Sequence, residues 1–399
     1  MKAGGLHRRR TKRRAVFVTD IATPYMVAVF EALAKQCELH VAFCSRTGTR
    51  GAAWAFEDGL PFSHRFVEGV TIRRKDESGT DYYLSPRILL EIARHRPHIV
   101  ITAGFSIPSV YAAAYATVRG CGFVIHSDGT SVSEEGFSRP QMLARRVLLG
   151  LRPSCAANSR ASGERFAELG VPAARVFHAP HSSRLAPLWK VARTRDARSD
   201  RFRVLAVGRL IPRKGFDRLL HAAAVARNEV PQLTVRIAGS GPEEPALKAL
   251  AAGLGVPTDF LGFVDQPDLP AVYAEADAFA FPTLLDPFGI VLLEAAASGL
   301  PLLASPAGGA TQDLVIDDQT GFVIEPYDVD GLAAAIVRLG RDVQLRRRLG
   351  RAAHELTLGR GPDDTAAAYI AAGEASLRQR RSSLARRLRS RRWASEPQG

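Results

Sequence analysis

Short β-branched or apolar runs alternate along the chain with longer segments whose apolar residues recur at helical spacing. Residues 15–19 (AVFVT) read as a first strand, 25–36 as a helix with Val29 and Leu33 one turn apart, and 38–43 as a second strand. Later strands are expected at 98–103 and 122–126, and helices at 86–95 and 141–149. Residues 185–201 (LAPLWKVARTRDARSDR) are polar, charged and weakly patterned, which reads as a linker. The series then restarts, with strands at 202–207, 233–238, 260–264, 278–281, 301–304 and 321–324 and helices at 216–228, 243–254, 269–275 and 290–298. Such alternation predicts parallel sheets with helices on both faces. Two series predict an α/β molecule of two doubly wound, Rossmann-like domains facing across a cleft, with ligands at the carboxyl ends of the strands. The expected boundaries are a tail at 1–14, an N-terminal domain at 15–185 on the acceptor side, a linker at 186–201, a nucleotide-binding C-terminal domain at 202–358, and a crossover helix with a tail at 359–399.

Composition fits this layout. A chain of 399 residues, 46% hydrophobic and 24% charged, can fill two cores without disulfides. The four cysteines (Cys37, Cys44, Cys121 and Cys155) have neither CxxC nor metal-ligand spacing and read as reduced, buried thiols of a cytosolic protein. The longest apolar stretch, 109–125, is interrupted by Arg119, Gly120 and Gly122 and falls short of a membrane span. No apolar core follows the basic N-terminus, so no signal peptide is expected. A cytoplasmic location is the expectation, with the inner face of the membrane as a place of peripheral contact.

Charge is concentrated at the ends. Arg8, Arg9, Arg10, Lys12, Arg13 and Arg14 at the start, with Arg378, Arg380, Arg381, Arg386, Arg387, Arg389, Arg391 and Arg392 at the end, account for the whole formal net charge of +14. A formally neutral body argues against a nucleic-acid-binding face. The basic ends suit an anionic membrane surface, or else are solvated tails.

Four motifs of the second half carry the chemistry. GRLIPRKG (208–215) leaves a strand and precedes a helix; Gly208 permits close backbone approach, and Arg209 and Lys214 have the reach to hold one anion, such as a diphosphate. In AGSGP (238–242), Gly239 and Gly241 suit close backbone approach and free amides. LGFV (261–264) offers Phe263 as a wall for a base, with core packing as the competing expectation. DPFGIVLLE (286–294) places Asp286 in a loop, Phe288, Gly289, Ile290 and Val291 around a helix start with open amides, and Glu294 about one turn inside. Carboxylates at those two places suit vicinal hydroxyls, and an acid in an apolar helix needs a partner. In the first half, Gly104-Phe105-Ser106 and His126-Ser127-Asp128 follow strands on the cleft side. His126 or Asp128 is placed to orient an acceptor hydroxyl or steady positive charge, with a buried structural histidine and a helix cap or turn as the bland alternatives. His181 reads as structural.

GRxxxxKG, AGSGP, LGFV, DPFGIVLLEAAASGLPLLAS and GG…DLV…TGFVI, in this order and spacing, resemble glycosyltransferase family 4 over about 202–340. The first half matches through TPYMVAVFEALA. The resemblance implies the two-domain GT-B fold, a nucleoside diphosphate sugar donor and retention of configuration, hence a hexosyltransferase. It implies that Arg209 and Lys214 bind the donor diphosphate, that Glu294 holds the ribose, and that amides near 288–291 contact sugar and phosphate. The first acid of the family's pair, a glutamate, is Asp286 here, which leaves the donor sugar open. No Asp-x-Asp stands at a strand end, so a metal-independent reaction with no cofactor is expected. A glycan or glycolipid is the expected acceptor, and no nucleic acid is expected as a partner. A nucleotide-sugar epimerase of the same fold and a non-enzymatic protein acting through its basic ends are the alternatives.

Overall fold

The computed structural model describes residues 12–46, 59–73, 81–194 and 200–394. The first domain is a parallel seven-stranded sheet in the order β3-β2-β1-β6-β7-β8-β9. Its strands are β1 (Arg14–Thr19), β2 (Glu38–Phe43) and β3 (Ser63–Phe66), then β6 (Ile99–Ala103), β7 (Gly122–Ser127), β8 (Ser154–Ala157) and β9 (Val176–His178). A separate antiparallel hairpin, β4 (Val70–Arg73) and β5 (Asp81–Leu84), precedes β6. Helix α1 (Pro24–Gln36) packs on one face of the sheet, while α2 (Ile88–His95), α3 (Ile107–Arg119), α4 (Arg139–Gly150) and α5 (Arg160–Glu168) cover the other.

After α6 (Ala186–Thr194) the second sheet runs β12-β11-β10-β13-β14-β15, all parallel. Its strands are β10 (Phe202–Val207), β11 (Leu233–Ala238), β12 (Thr258–Gly262), β13 (Ala278–Phe281), β14 (Leu302–Ala304) and β15 (Gly321–Val323). Its helices are α7 (Phe216–Ala226), α8 (Glu244–Gly253), α9 (Leu269–Ala274), α10 (Ile290–Ala297), α11 (Thr311–Leu314), α12 (Val329–Arg341) and α13 (Val343–Thr357). Finally α14 (Pro362–Ala394) returns to the first domain, where Tyr369 meets Phe17 edge to face and the Ser376 hydroxyl accepts the Phe123 amide at 2.9 Å. The α/β architecture of two doubly wound sheets is therefore as expected, and both sheets have hydrophobic residues buried on each face.

The departures have local causes. The stretch expected to be a linker is helical as α6 over 186–194. Leu185, Leu188 and Trp189 recur at helical spacing and pack on the C-terminal core, which outweighs the surrounding charge. Residues 195–199 of that stretch lie outside the described residues. The strand expected at 260–264 is β12, ending at Gly262, whose left-handed φ of 67° stops the strand. Phe263 is consequently 49% exposed, not core. Arg8, Arg9 and Arg10 lie outside the described residues, but Arg14 opens β1, with its Nε on the Arg96 carbonyl at 3.0 Å. Arg380 likewise donates to the Ala116 carbonyl at 3.0 Å, so parts of the basic ends are structural. Among the described residues, no helix is long and apolar enough to cross a membrane, and all four cysteines are buried thiols.

Candidate functional site

The loops at the carboxyl ends of β10, β11 and β13 are joined backbone to backbone. The Gly208 amide donates to the Ala238 carbonyl at 2.9 Å, and the Leu210 amide to that of Ser240 at 3.0 Å. A Cβ at Gly239 would collide with the Gly208 carbonyl oxygen, and one at Gly241 with that of Leu210. The AGSGP glycines thus serve the contact between two loops. The Gly239 amide, expected to be open, is given to the Gly262 carbonyl at 2.7 Å. Residues Pro212–Lys214 form a single 3-10 turn closed by Gly215 at φ 69°, where a Cβ would strike the Pro282 carbonyl. That turn delivers Lys214 to Asp286, with which it forms a largely buried ion pair. Arg209 is exposed on the same loop.

Asp286 is fixed by the Gly308-Gly309 loop. Its amide donates to the Ala307 carbonyl at 3.2 Å, its carbonyl accepts the Gly309 amide at 2.9 Å, and its Oδ1 accepts the Phe288 amide at 3.2 Å. A Cβ at Gly309 would collide with the Pro287 carbonyl, which is why the GG of the sequence stands there. Gly289, at φ 90°, precedes α10 and leaves room only for the Phe281 ring. Ile290 and Val291 open that helix, where amides have no intrahelical acceptor. Glu294 follows and is 5% exposed. The Tyr273 hydroxyl donates to its Oε2 at 3.1 Å. Burial pushes the Glu294 carboxyl up to about 7, with the Tyr273 and Ser183 hydroxyls acting in the opposite direction. The required partner exists, but it is a tyrosine from α9, which no local motif announces.

The opposite wall comes from the first domain. His126 ends β7 buried, its Nδ1 3.0 Å from the Tyr369 hydroxyl of α14. Burial pushes it down to about 3, and the neighbouring His181 adds to that. His181, expected from the sequence to be structural, stands between the domains. Its ring meets those of Phe288 (4.9 Å), His126 (5.3 Å) and Tyr25 (5.3 Å) edge to face. Burial pushes it down to about 4, against the pull of Asp286. Both histidines are neutral at pH 7, so His126 is suited to accept or donate a hydrogen bond and carries no positive charge. Asp128 is exposed beside them. Asp20, just past β1, was not singled out from the sequence. Burial, then the charges of Asp81 and Asp128, push it up to about 7.

A buried ion cluster holds this wall. Glu134, 4% exposed, accepts Arg145 Nε and Nη2 at 3.0 and 2.7 Å on Oε1 and Arg165 Nε at 2.9 Å on Oε2. The Arg145 guanidinium lies over Phe105 at 4.8 Å and Phe137 at 4.4 Å, and Gly129 packs directly on Glu134. The loops carrying Phe105 and Asp128 are therefore tied to one carboxylate. Among the described residues, one group has metal-ligand chemistry: His40, Glu91 and His95. The two imidazoles stack at 3.6 Å and 15°, so their lone pairs run side by side and do not converge on one ion. Glu91 is also paired with Arg94 at 2.9 Å. The group, on β2 and α2, is a charge cluster in this arrangement.

Residues 190–356 match the family model of glycosyl transferases group 1. A GDP-mannose-dependent alpha-(1-6)-phosphatidylinositol monomannoside mannosyltransferase of Mycolicibacterium smegmatis is 35% identical over 215 residues, 50% of this chain and 56% of that protein. A sulfoquinovosyl transferase of Arabidopsis thaliana is 28% identical over 300 residues, 69% of this chain and 56% of that protein. The matched stretches thus span a little over half of these curated relatives. Anabaena HepE, solved in complex with UDP, superposes with a TM-score of 0.71 over 89% of this chain and 97% of that one, at 21% identity, a likeness of fold. The frame of two facing sheets is the GT-B fold, and the likeness to the group 1 glycosyl transferases lies in residues 190–356.

Proposed function

We propose that the chain transfers a hexose from a nucleoside diphosphate sugar to a lipid-linked or envelope glycan acceptor, with retention at the anomeric carbon and without a metal ion. One observation carries the reading above the others. Lys214, Asp286 and the buried Glu294 are brought to one cluster of strand ends by close contacts, with backbone at Gly215 and Gly309 and with the Phe281 ring at Gly289, that require glycine at all three places. Arg209 and Lys214 meet the diphosphate, and Lys214 exchanges its partner Asp286 for a phosphate oxygen. Asp286, so released, faces the sugar hydroxyls. Glu294 takes the ribose hydroxyls, and the amides that open α10 face the phosphate.

The anomeric carbon loses its bond to the diphosphate oxygen as the acceptor oxygen bonds on the same face. The departing phosphate oxygen takes the acceptor proton, so no protein nucleophile is needed. Negative charge grows on the diphosphate, where Arg209 and Lys214 meet it. His126, neutral and held by Tyr369, lines the acceptor side as a hydrogen-bonding group. The relatives make GDP-mannose and UDP-sugars the first donors to try, and a phosphatidylinositol mannoside the first acceptor.

A thermal-shift series with UDP, GDP, ADP and their sugars tests the reading without knowledge of the acceptor. One nucleotide should raise the melting midpoint, and Lys214→Ala and Glu294→Ala should each abolish the rise. No rise with any nucleotide would overturn the proposal. Conversion of the donor sugar with no acceptor present would favour epimerisation instead.

A further inference from the structure

Three of the helices on the outer side of the first sheet, α2, α3 and α4, bear an unusual surface. On α4, Leu143 (60% exposed) and Val147 (55%) share one stripe with the exposed Arg139 and Arg146, at spacings of three and four residues. On the adjacent α3, Val118 is 84% exposed beside Arg119, and on α2 Leu90 is 62% exposed one turn before Arg94. The acids are missing. Residues 92–127 and 136–163 contain no Asp or Glu, and Glu91, the one acid of α2, is buried. A solvated helical face normally mixes charges of both signs, whereas this one alternates arginine with aliphatic side chains.

We propose that the α2–α3–α4 face is a docking surface for an anionic lipid bilayer, with Leu143 and Val147 entering the boundary between headgroups and acyl chains and the flanking arginines on lipid phosphates. An interfacial helix needs apolar side chains along one stripe and basic ones beside them. The α4 stripe has both, in a stretch without an acid. A bilayer with anionic lipids complements the two features at once, over an area as broad as three helices. The last helix packs on the other face of the sheet, with α1, and its Arg380 bonds the Ala116 carbonyl near the end of α3.

The placement has a consequence for transfer, and this step alone rests on the glycosyltransferase reading. Helix α3 starts at Ile107, just after β6 ends at Ala103 on the cleft side, and α4 follows the 128–138 loop that leaves the same end of β7. A bilayer lying along them meets the cleft rim, where the headgroup of a lipid-linked acceptor would enter without leaving the membrane.

Co-sedimentation of the full chain with vesicles needs no nucleotide, so its failure is separate from failure of the transfer reading. Vesicles of phosphatidylcholine with about 30 mol% phosphatidylglycerol should pellet the protein, while phosphatidylcholine alone should not. Leu143→Asp with Val147→Asp should weaken binding at least about tenfold, and Arg139→Ala with Arg146→Ala by several fold. Val225→Asp, on an exposed face of the C-terminal domain, serves as the control and should change nothing. Circular dichroism and melting confirm that each variant is folded. Unchanged pelleting of both α4 variants would overturn the proposal. So would loss of binding only when the arginines of 386–392 are replaced, which assigns it to the tail. A concentration-dependent dimer that the Leu143 and Val147 changes dissolve, without pelleting by either vesicle, would overturn it in favour of a contact between copies of the chain.

Discussion

The two walls of the cleft are built on different plans. On the C-terminal side each site residue sits in a short contiguous motif, and glycines clamp neighbouring loops together by backbone contact. Gly239 is pressed on Gly208, Gly215 on Pro282, and Gly309 on Pro287. On the N-terminal side the wall is assembled from residues far apart in the chain. Asp20, Glu134, His126, His181 and Tyr369 come from five separate segments. They are placed by burial, by ring contacts and by one carboxylate with two arginines. A wall that grips an invariant part of its ligand tolerates a rigid backbone mould. A wall facing a variable acceptor is better made of side chains that can be exchanged singly.

The sharpest break with this contrast comes from the cationic turn. Lys214→Ala should lower donor turnover by about a hundredfold or more, the size of losing one donor to transition-state charge. Release of nucleotide from the donor sugar, followed with saturating donor, is the measurement. Turnover within about threefold of wild type would remove Lys214 from the phosphate site and with it the reason for the glycine clamp.

Glu294→Gln comes next. It should weaken nucleotide binding by roughly thirtyfold, as a charged acceptor of ribose hydroxyls is lost. It also has a signature in pH. The carboxyl is pushed up to about 7 in the fold, against 4.5 ordinarily. Between those values the native state holds a proton that the unfolded chain releases, so its contribution to stability falls as pH rises and is fully unfavourable above 7. The glutamine variant should therefore melt higher than wild type at pH 8 and close to it at pH 4.5. Equal midpoint differences at the two pH values would show that Glu294 is not strained by burial.

Glu134→Gln addresses the other wall. The amide keeps its size but loses the charge that holds Arg145 and Arg165. Acceptor KM should rise about fivefold, with nucleotide affinity unchanged, because the loops of Phe105 and Asp128 lose their common anchor. A purely structural role would lower the melting midpoint and leave the KM of the folded fraction alone.

The same contrast explains what the sequence made legible. Strands β2, β10, β11 and β13 were readable to the residue, because each is a mostly β-branched or apolar run with its core-facing positions filled. The short β3, β8 and β9 and the β4–β5 hairpin were not, since each is three or four residues long and broken by a polar or charged side chain, unlike the all-apolar β13. The Glu294 position was readable as an acid out of place in an apolar helix, but its Tyr273 partner depends on how α9 lies against α10. His181 had no local signal beyond the polar run HAPHSS at the end of β9, and its place between Tyr25, His126 and Phe288 arises only when the domains meet. Asp20 was passed over because one acid after a strand is ordinary. The approach of Asp81 and Asp128 makes it otherwise.

His181 supplies the smallest effect and the most direct check on that meeting point. It is pushed down to about 4, and His126 to about 3, against 6.5 ordinarily. Above pH 6.5 both states are neutral and the shift contributes nothing. As pH falls from there towards 4, the unfolded chain takes up protons that the native state refuses, so stability is lost. Asp20 and Glu294, both pushed up to about 7, act in the reverse sense over much of this window and mask the loss in the whole protein. His181→Phe keeps a ring against Phe288 and removes one proton site. Relative to wild type it should gain on the order of 1 kcal/mol at pH 5 and little at pH 7.5. Chemical denaturation at the two pH values measures the difference. The same change at both would mean that His181 keeps water beside it in the native state, and that the domains do not close over it.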